Sequence, residues 1–112
     1  MELIQEKHGV IIVNIVKLRR ATLNEAGEFK QILLQDIDLG WRKIIVDLTI
    51  CEFIDSTFLG TLVVILKKIT GLGGELRLVG FQPNVNSMLQ LTRMNRMFQS
   101  YPTKEEAINS FI

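Results

Sequence analysis

Residues 43–48 read Lys-Ile-Ile-Val-Asp-Leu, an apolar run too short for a helix and too continuous for a strand with one wet face. Such a run predicts a central strand covered on both sides and parallel to its neighbours, which commits the chain to a layered α/β fold. The flanking segments agree. Downstream, Leu59, Leu62, Val63, Leu66 and Ile69 recur at helical spacing, with Lys67 and Lys68 on the wet side and Gly71, Gly73 and Gly74 as the stop. Upstream, Ala26, Phe29, Leu33 and Ile37 form a second stripe, opened by the capping-box sequence Thr22-Leu23-Asn24-Glu25 and closed by Gly40.

Residues 2–7 and 10–17 are β-branched-rich segments joined at His8-Gly9, which predicts an antiparallel hairpin ahead of this alternation. Residues 75–79 read as a further strand and 80–82 as a turn. Pro83 stands at a first helical position, ahead of a stripe of Val85, Met88, Leu89 and Thr92. A short strand is expected around Phe98. Thr103-Lys104-Glu105-Glu106 then repeats the capping-box pattern before a last helix anchored by Ala107, Ile108 and Phe111. Right-handed crossovers would lay about four helices against a mixed, mostly parallel sheet of roughly four to five strands, the hairpin at its N-terminal end. No linker or repeat divides residues 1–112, so one domain is expected.

Composition narrows the function. Thirteen basic against twelve acidic residues, a formal net charge of +1, do not suit an electrostatic nucleic-acid binder. The apolar runs at 10–16 and 62–66 fall far short of the ~20 residues that span a bilayer. The N-terminus carries Glu2 and Glu6 without a basic leader, so no membrane span and a cytoplasmic location are expected. Cys51 and His8 are each alone and read as a buried small residue and a turn residue, with no disulfide or metal site. Lys17, Arg19 and Arg20, like Arg93 and Arg96, read as solvated surface open to an acidic partner; Met88, Met94 and Met97 read as core, with a partner-facing groove as the alternative.

Residues 52–60, Glu-Phe-Ile-Asp-Ser-Thr-Phe-Leu-Gly, lie between the carboxyl end of the buried strand and the first turn of the next helix, where open α/β sheets place functional loops. Asp55 suits the N-cap, and Ser56 and Thr57 suit a first turn whose amides lack intrahelical partners. One reading of Asp-Ser-Thr is a plain helix cap. The other is an accessible hydroxyl awaiting modification.

Ile45-Val46-Asp47-Leu48, then Phe53-Ile54-Asp55-Ser56-Thr57, Leu59-Gly60 and Gly74-Glu75-Leu76-Arg77-Leu78-Val79, resemble the STAS domain of anti-sigma-factor antagonists. The resemblance continues through Leu91-Thr92-Arg93-Met94-Asn95-Arg96-Met97-Phe98 to the closing Ala107-Ile108 helix. It implies the STAS fold and a non-enzymatic regulator with no cofactor of its own. Ser56 matches the serine phosphorylated in that family by a kinase that doubles as the anti-sigma factor. Asp55 and Thr57 match its flanks, and Thr57 is the secondary candidate for phosphorylation. By the same resemblance the dephosphorylated protein binds the anti-sigma factor and frees the sigma factor. A metal-dependent serine phosphatase resets phosphorylated Ser56, and this partner switching regulates transcription. The expected partner face is Asp55, Ser56, Thr57 and Phe58, with Asn24 from the loop at 18–24; self-association is expected to be no stronger than a weak homodimer.

The chain departs from the family at Phe58 and Arg93, which stand where glycine is common, and at Arg19-Arg20 in the loop at 18–24, which match it poorly. Phe58 either contacts a partner beside Ser56 or, four residues before Leu62, extends the buried stripe of its helix. Two other functions compete. A response-regulator receiver also carries a phosphoacceptor after a central strand, but it needs early paired carboxylates for magnesium, and Asp55 would be its acceptor. A STAS subunit of a transporter or signalling scaffold keeps the fold and changes the task. Catalysis has least support, because no histidine pairs with Ser56 and the glycines at 71–74 read as a helix stop.

Overall fold

A computed structural model describes every residue from Met1 to Ile112. In chain order the elements are β1 (Leu3–His8), β2 (Ile11–Val16), β3 (Arg20–Ala21), α1 (Leu23–Asp38), β4 (Lys43–Asp47), β5 (Phe53–Ile54), α2 (Ser56–Gly71), β6 (Glu75–Val79), α3 (Pro83–Leu91), a 3-10 turn (Met94–Arg96), β7 (Gln99–Tyr101) and α4 (Lys104–Asn109). One five-stranded sheet runs β1-β2-β4-β6-β7 and is antiparallel only at the β1–β2 hairpin. This is the expected mixed α/β architecture. No helix is long and apolar enough to cross a membrane.

The run at 43–48 takes the place its composition demands. β4 lies between β2 and β6, parallel to both, and Ile44, Ile45 and Val46 are fully buried. Successive side chains alternate across a sheet. Ile44 and Val46 therefore join the main core with Phe29, Leu33, Leu62 and Ile65 of α1 and α2, whereas Ile45 joins Ile11, Val13, Val79 and Ala107 on the side covered by α4. That second face also holds Arg77, 8% exposed, whose guanidinium lies 3.9 Å from the Phe111 ring centroid and donates to Ser110 Oγ and Glu75 Oε1. A buried cation is tolerable there because acceptors at both terminal nitrogens and a π face replace most of its water, Nε alone lacking an acceptor.

Local chemistry sets the element ends. The hairpin turns on Gly9-Val10, one residue later than expected, with His8 paired to Ile11; only Gly9 is left-handed, at φ 63°, as a type II′ turn requires. Glu25 Oε1 accepts the Thr22 amide at 2.9 Å while Thr22 Oγ1 accepts from Asn24, completing the capping box of α1. At α4 only the first half of the box forms, with Thr103 Oγ1 accepting the Glu106 amide at 3.1 Å. Thr92, expected on the α3 stripe, is instead its exposed C-cap, the hydroxyl donating to Met88 O at 2.7 Å. Met88 and Met94 pack against the main core, whereas Met97 is 41% exposed. Gly74 is required by proximity, since a Cβ would stand 2.6 Å from the Arg42 carbonyl oxygen.

Two features were not legible beforehand. β3 and β5 pair in parallel as a separate sheet, Arg20 beside Phe53 and Ala21 beside Ile54; strands of two residues carry no periodicity. The other is a polar cluster linking β1, β2 and α1, in which Asn14 and Asp36 are buried and Gln5 covers them from the exposed edge strand. Gln5 Nε2 donates to Asn14 Oδ1 at 2.8 Å and to Asp36 Oδ1 at 2.9 Å, and Asn14 Nδ2 donates to Asp36 Oδ2 at 3.2 Å. Burial raises the Asp36 carboxyl above its ordinary value, against the opposing effect of those two amides.

A carboxyl with a raised folded-state pKa holds more protons folded than unfolded, so its contribution to stability falls as pH rises through the window between its ordinary and raised values. Denaturant titrations across that window should show wild type losing stability relative to Asp36→Asn as pH increases, and a constant difference above it. The backbone offers a second test. Arg93 is left-handed at φ 60°, ψ 17°. Glycine relieves the steric cost of that conformation but adds unfolded-state entropy, so Arg93→Gly should gain a net of about 0.5–1 kcal/mol, read as a higher urea midpoint at unchanged slope.

Candidate functional site

Beyond β4 the chain turns back across the carboxyl edge of the sheet. Asp47 Oδ1 accepts the Thr49 amide at 2.9 Å, and Cys51 is fully buried, its thiol donating to Phe53 O at 3.3 Å. Burial pushes the Cys51 thiol up, so it stays protonated and packs as a small apolar group. β5 follows, and then Asp55.

Asp55 has extended backbone, φ −98° and ψ 176°, and its Oδ1 accepts the Phe58 amide at 2.9 Å, the expected N-cap of α2. Its second oxygen does something the sequence did not announce. Oδ2 accepts the amide of Leu23 at 2.8 Å, and Leu23 is the first residue of α1. A single carboxylate therefore serves the N-termini of both helices, satisfying one unpaired amide on each. Committed to two amides, Asp55 is a structural acceptor rather than the free aspartate that a receiver domain would need.

The surrounding backbone ties the same two segments together. The amides of Glu52 and Phe53 donate to Arg19 O at 2.7 and 3.1 Å, and the Asp55 amide donates to Ala21 O at 3.3 Å. The loop at 18–24 is thus fastened along its length to the segment that carries Asp-Ser-Thr. On the resulting surface Ser56, Thr57 and Asn24 are exposed and Asp55 is half-buried, so four of the five residues expected at the partner face come together. Leu23, 65% exposed, adds an apolar neighbour. Arg20 lies with its guanidinium 4.2 Å from the Phe53 ring centroid, a placement that follows from the β3–β5 pairing.

Phe58, the fifth expected residue, is a correction. It is fully buried and packs on Phe29, ring centroids 4.7 Å apart and planes tilted by 30°. Ser56 and Phe58 are two positions apart, about 200° around a helix, so the turn that exposes the serine drives the phenylalanine inward. Its spacing to Leu62 was the sound guide. Phe58 gives the partner no surface; it is the apolar floor beneath the turn.

Removing the Asp55 side chain strands two backbone amides, one of them at the base of each helix. Asp55→Ala should lower the unfolding free energy by about 2 kcal/mol, and Asp55→Asn, which keeps one acceptor oxygen, by about half as much. Equilibrium urea denaturation of both variants checks the ordering.

A sequence model of the STAS domain matches residues 3–107. A Thermotoga maritima protein described as an anti-sigma factor antagonist is 33% identical over 98 residues, which is 87% of this chain and 87% of the relative. The crystal structure of a Thermotoga maritima protein described in the same way superposes with a TM-score of 0.87 at 29% identity, covering 96% of this chain and 92% of the other. The Bacillus cell-fate determinant SpoIIAA, solved in its phosphorylated form, shares the fold at 17% identity with a TM-score of 0.78, covering 99% of this chain and all of its own. With the family match running nearly end to end and the sheet, hairpin and helices in the same arrangement, this chain belongs to the STAS domain family.

Proposed function

We propose that this protein is an anti-sigma-factor antagonist whose docking surface is formed by Asp55, Ser56, Thr57 and the loop at 18–24, and which is released from its partner when Ser56 is phosphorylated. The observation that carries the reading is the exposed Ser56 side chain at the first position of α2, on a turn already fixed by Asp55. The Thermotoga relative described as an antagonist supports the class of partner, and the phosphorylated form of SpoIIAA supports the kind of switch. The partner is then an anti-sigma factor with serine kinase activity, which brings its own ATP and metal. A serine phosphatase restores the free hydroxyl, and the exchange takes place in the cytoplasm.

Physical chemistry gives this switch a direction. A phosphate adds about −1.5 to −2 charge and three acceptor oxygens. The free protein tolerates it, because the N-terminus of a helix favours negative charge. Phe58 and Phe29 pack the floor of the turn, so the backbone has little reason to move. In a docked complex the same charge must be desolvated next to Asp55, and like-charge repulsion then opposes binding. About 3 kcal/mol of such coupling changes affinity more than a hundredfold.

Incubation with the cognate kinase and ATP, followed by phosphosite mapping, should place the label on Ser56; labelling confined to other residues overturns the reading. Calorimetric titration against the anti-sigma factor should find Ser56→Ala binding near wild-type strength and Ser56→Asp markedly weaker. The two variants should unfold within about 0.5 kcal/mol of each other, since the added charge sits at a favourable helix end.

A further inference from the structure

We infer that Arg20 is the intramolecular counter-ion of phosphorylated Ser56, and that the phosphate draws its guanidinium off the Phe53 ring. The inference rests on Ser56 as the phosphoacceptor and adds what the phosphate does within its own surface. In the unmodified protein the Arg20 guanidinium stands 4.2 Å from the centroid of Phe53. The β3–β5 register sets the two residues side by side, and Phe53 precedes Ser56 by only three positions, at most about 11 Å of extended chain. An exposed cation–π contact is weak, whereas guanidinium and phosphate match as a charge-assisted, bidentate pair.

The charges around the turn favour Arg20 as the partner. They are Glu52 and Asp55, Arg19 and Arg20, and Glu25, whose carboxylate is engaged on the Thr22 amide. Arg19 lies in the bend ahead of β3, its carbonyl held by the Glu52 and Phe53 amides, and only Arg20 is set beside Phe53 by the β3–β5 register. Along α2 the first basic residue is Lys67, about 16 Å from Ser56 on the helix axis. A dianion set beside Asp55 and near Glu52 thus meets Arg20 as the cation already held against the turn through Phe53. Its capture also changes the docking surface, because an exposed positive charge is neutralised and the face of Phe53 is uncovered. Both changes occur beside the residue that is modified.

The test installs phosphoserine at position 56 by semisynthesis and follows the second ionisation of the phosphate by phosphorus NMR. Pairing with Arg20 lowers the midpoint, so Arg20→Gln should raise it by roughly 0.2–0.7 of a pH unit, the effect of an exposed ion pair. Arg20→Lys should keep most of the lowering, and Arg19→Gln should leave the midpoint where it is. In wild type the Arg20 Nε–H resonance should move on phosphorylation. An unchanged midpoint in Arg20→Gln, or an equal rise in Arg19→Gln, overturns the inference. Kinase labelling at another residue would defeat the reading of Ser56 as acceptor, yet the midpoint comparison, made on chemically installed phosphoserine, would stand apart from that result.

Discussion

The carboxylate of Asp55 is the contact on which the functional end of this molecule depends. Its two oxygens accept amides from Phe58 and from Leu23, residues that begin helices on either side of β4. A helix N-terminus has unpaired donors and a partial positive charge, so a carboxylate between two of them is stabilised by both. The consequence is positional. The first turn of α2 and the loop ahead of α1 become one surface, and the side chain at position 56 is presented from a backbone that cannot easily shift.

Below that surface the packing explains how exposure and rigidity coexist. Phe58 and Phe29 are both fully buried and touch across the α1–α2 interface. Burying one such ring contributes about 2–3 kcal/mol, a large share of what a small domain has in hand. A glycine at position 58 would leave the same cap with no anchor. With phenylalanine the turn is pinned from beneath, so the phosphate proposed at Ser56 would act through charge at the surface rather than through rearrangement of the core.

The two faces of the sheet divide the work. The face under α1 and α2 carries the large apolar cluster and ends at the Asp55 turn, while the face under α4 is smaller and mixes apolar residues with Arg77. Polar groups inside both layers are mostly paired instead of omitted: Asp36 with Gln5 and Asn14, Arg77 with Glu75, Ser110 and the Phe111 ring, its Nε alone lacking an acceptor. Such pairs add little net stability, but leaving any one of them unmade would cost more than a surface contact gains.

The sequence by itself determined the order of the helices and of the main-sheet strands, the central place of β4, the caps at Thr22 and Asp55, and the helical start at Ser56. Each of these follows from short-range chemistry: side-chain period, capping geometry, and the φ that glycine or proline allows. It left Phe58 between core and surface, because spacing on a helix names a face without saying what lies against it. Only the tertiary structure decided that question, by bringing Phe29 of α1 over α2. It also decided the second acceptor role of Asp55, the pairing of β3 with β5, and the seat of Arg20 on Phe53. These are contacts between segments some thirty residues apart, made by a backbone amide, two-residue strands and a surface arginine. None of them has a period or a motif, so nothing local in the chain could have written them.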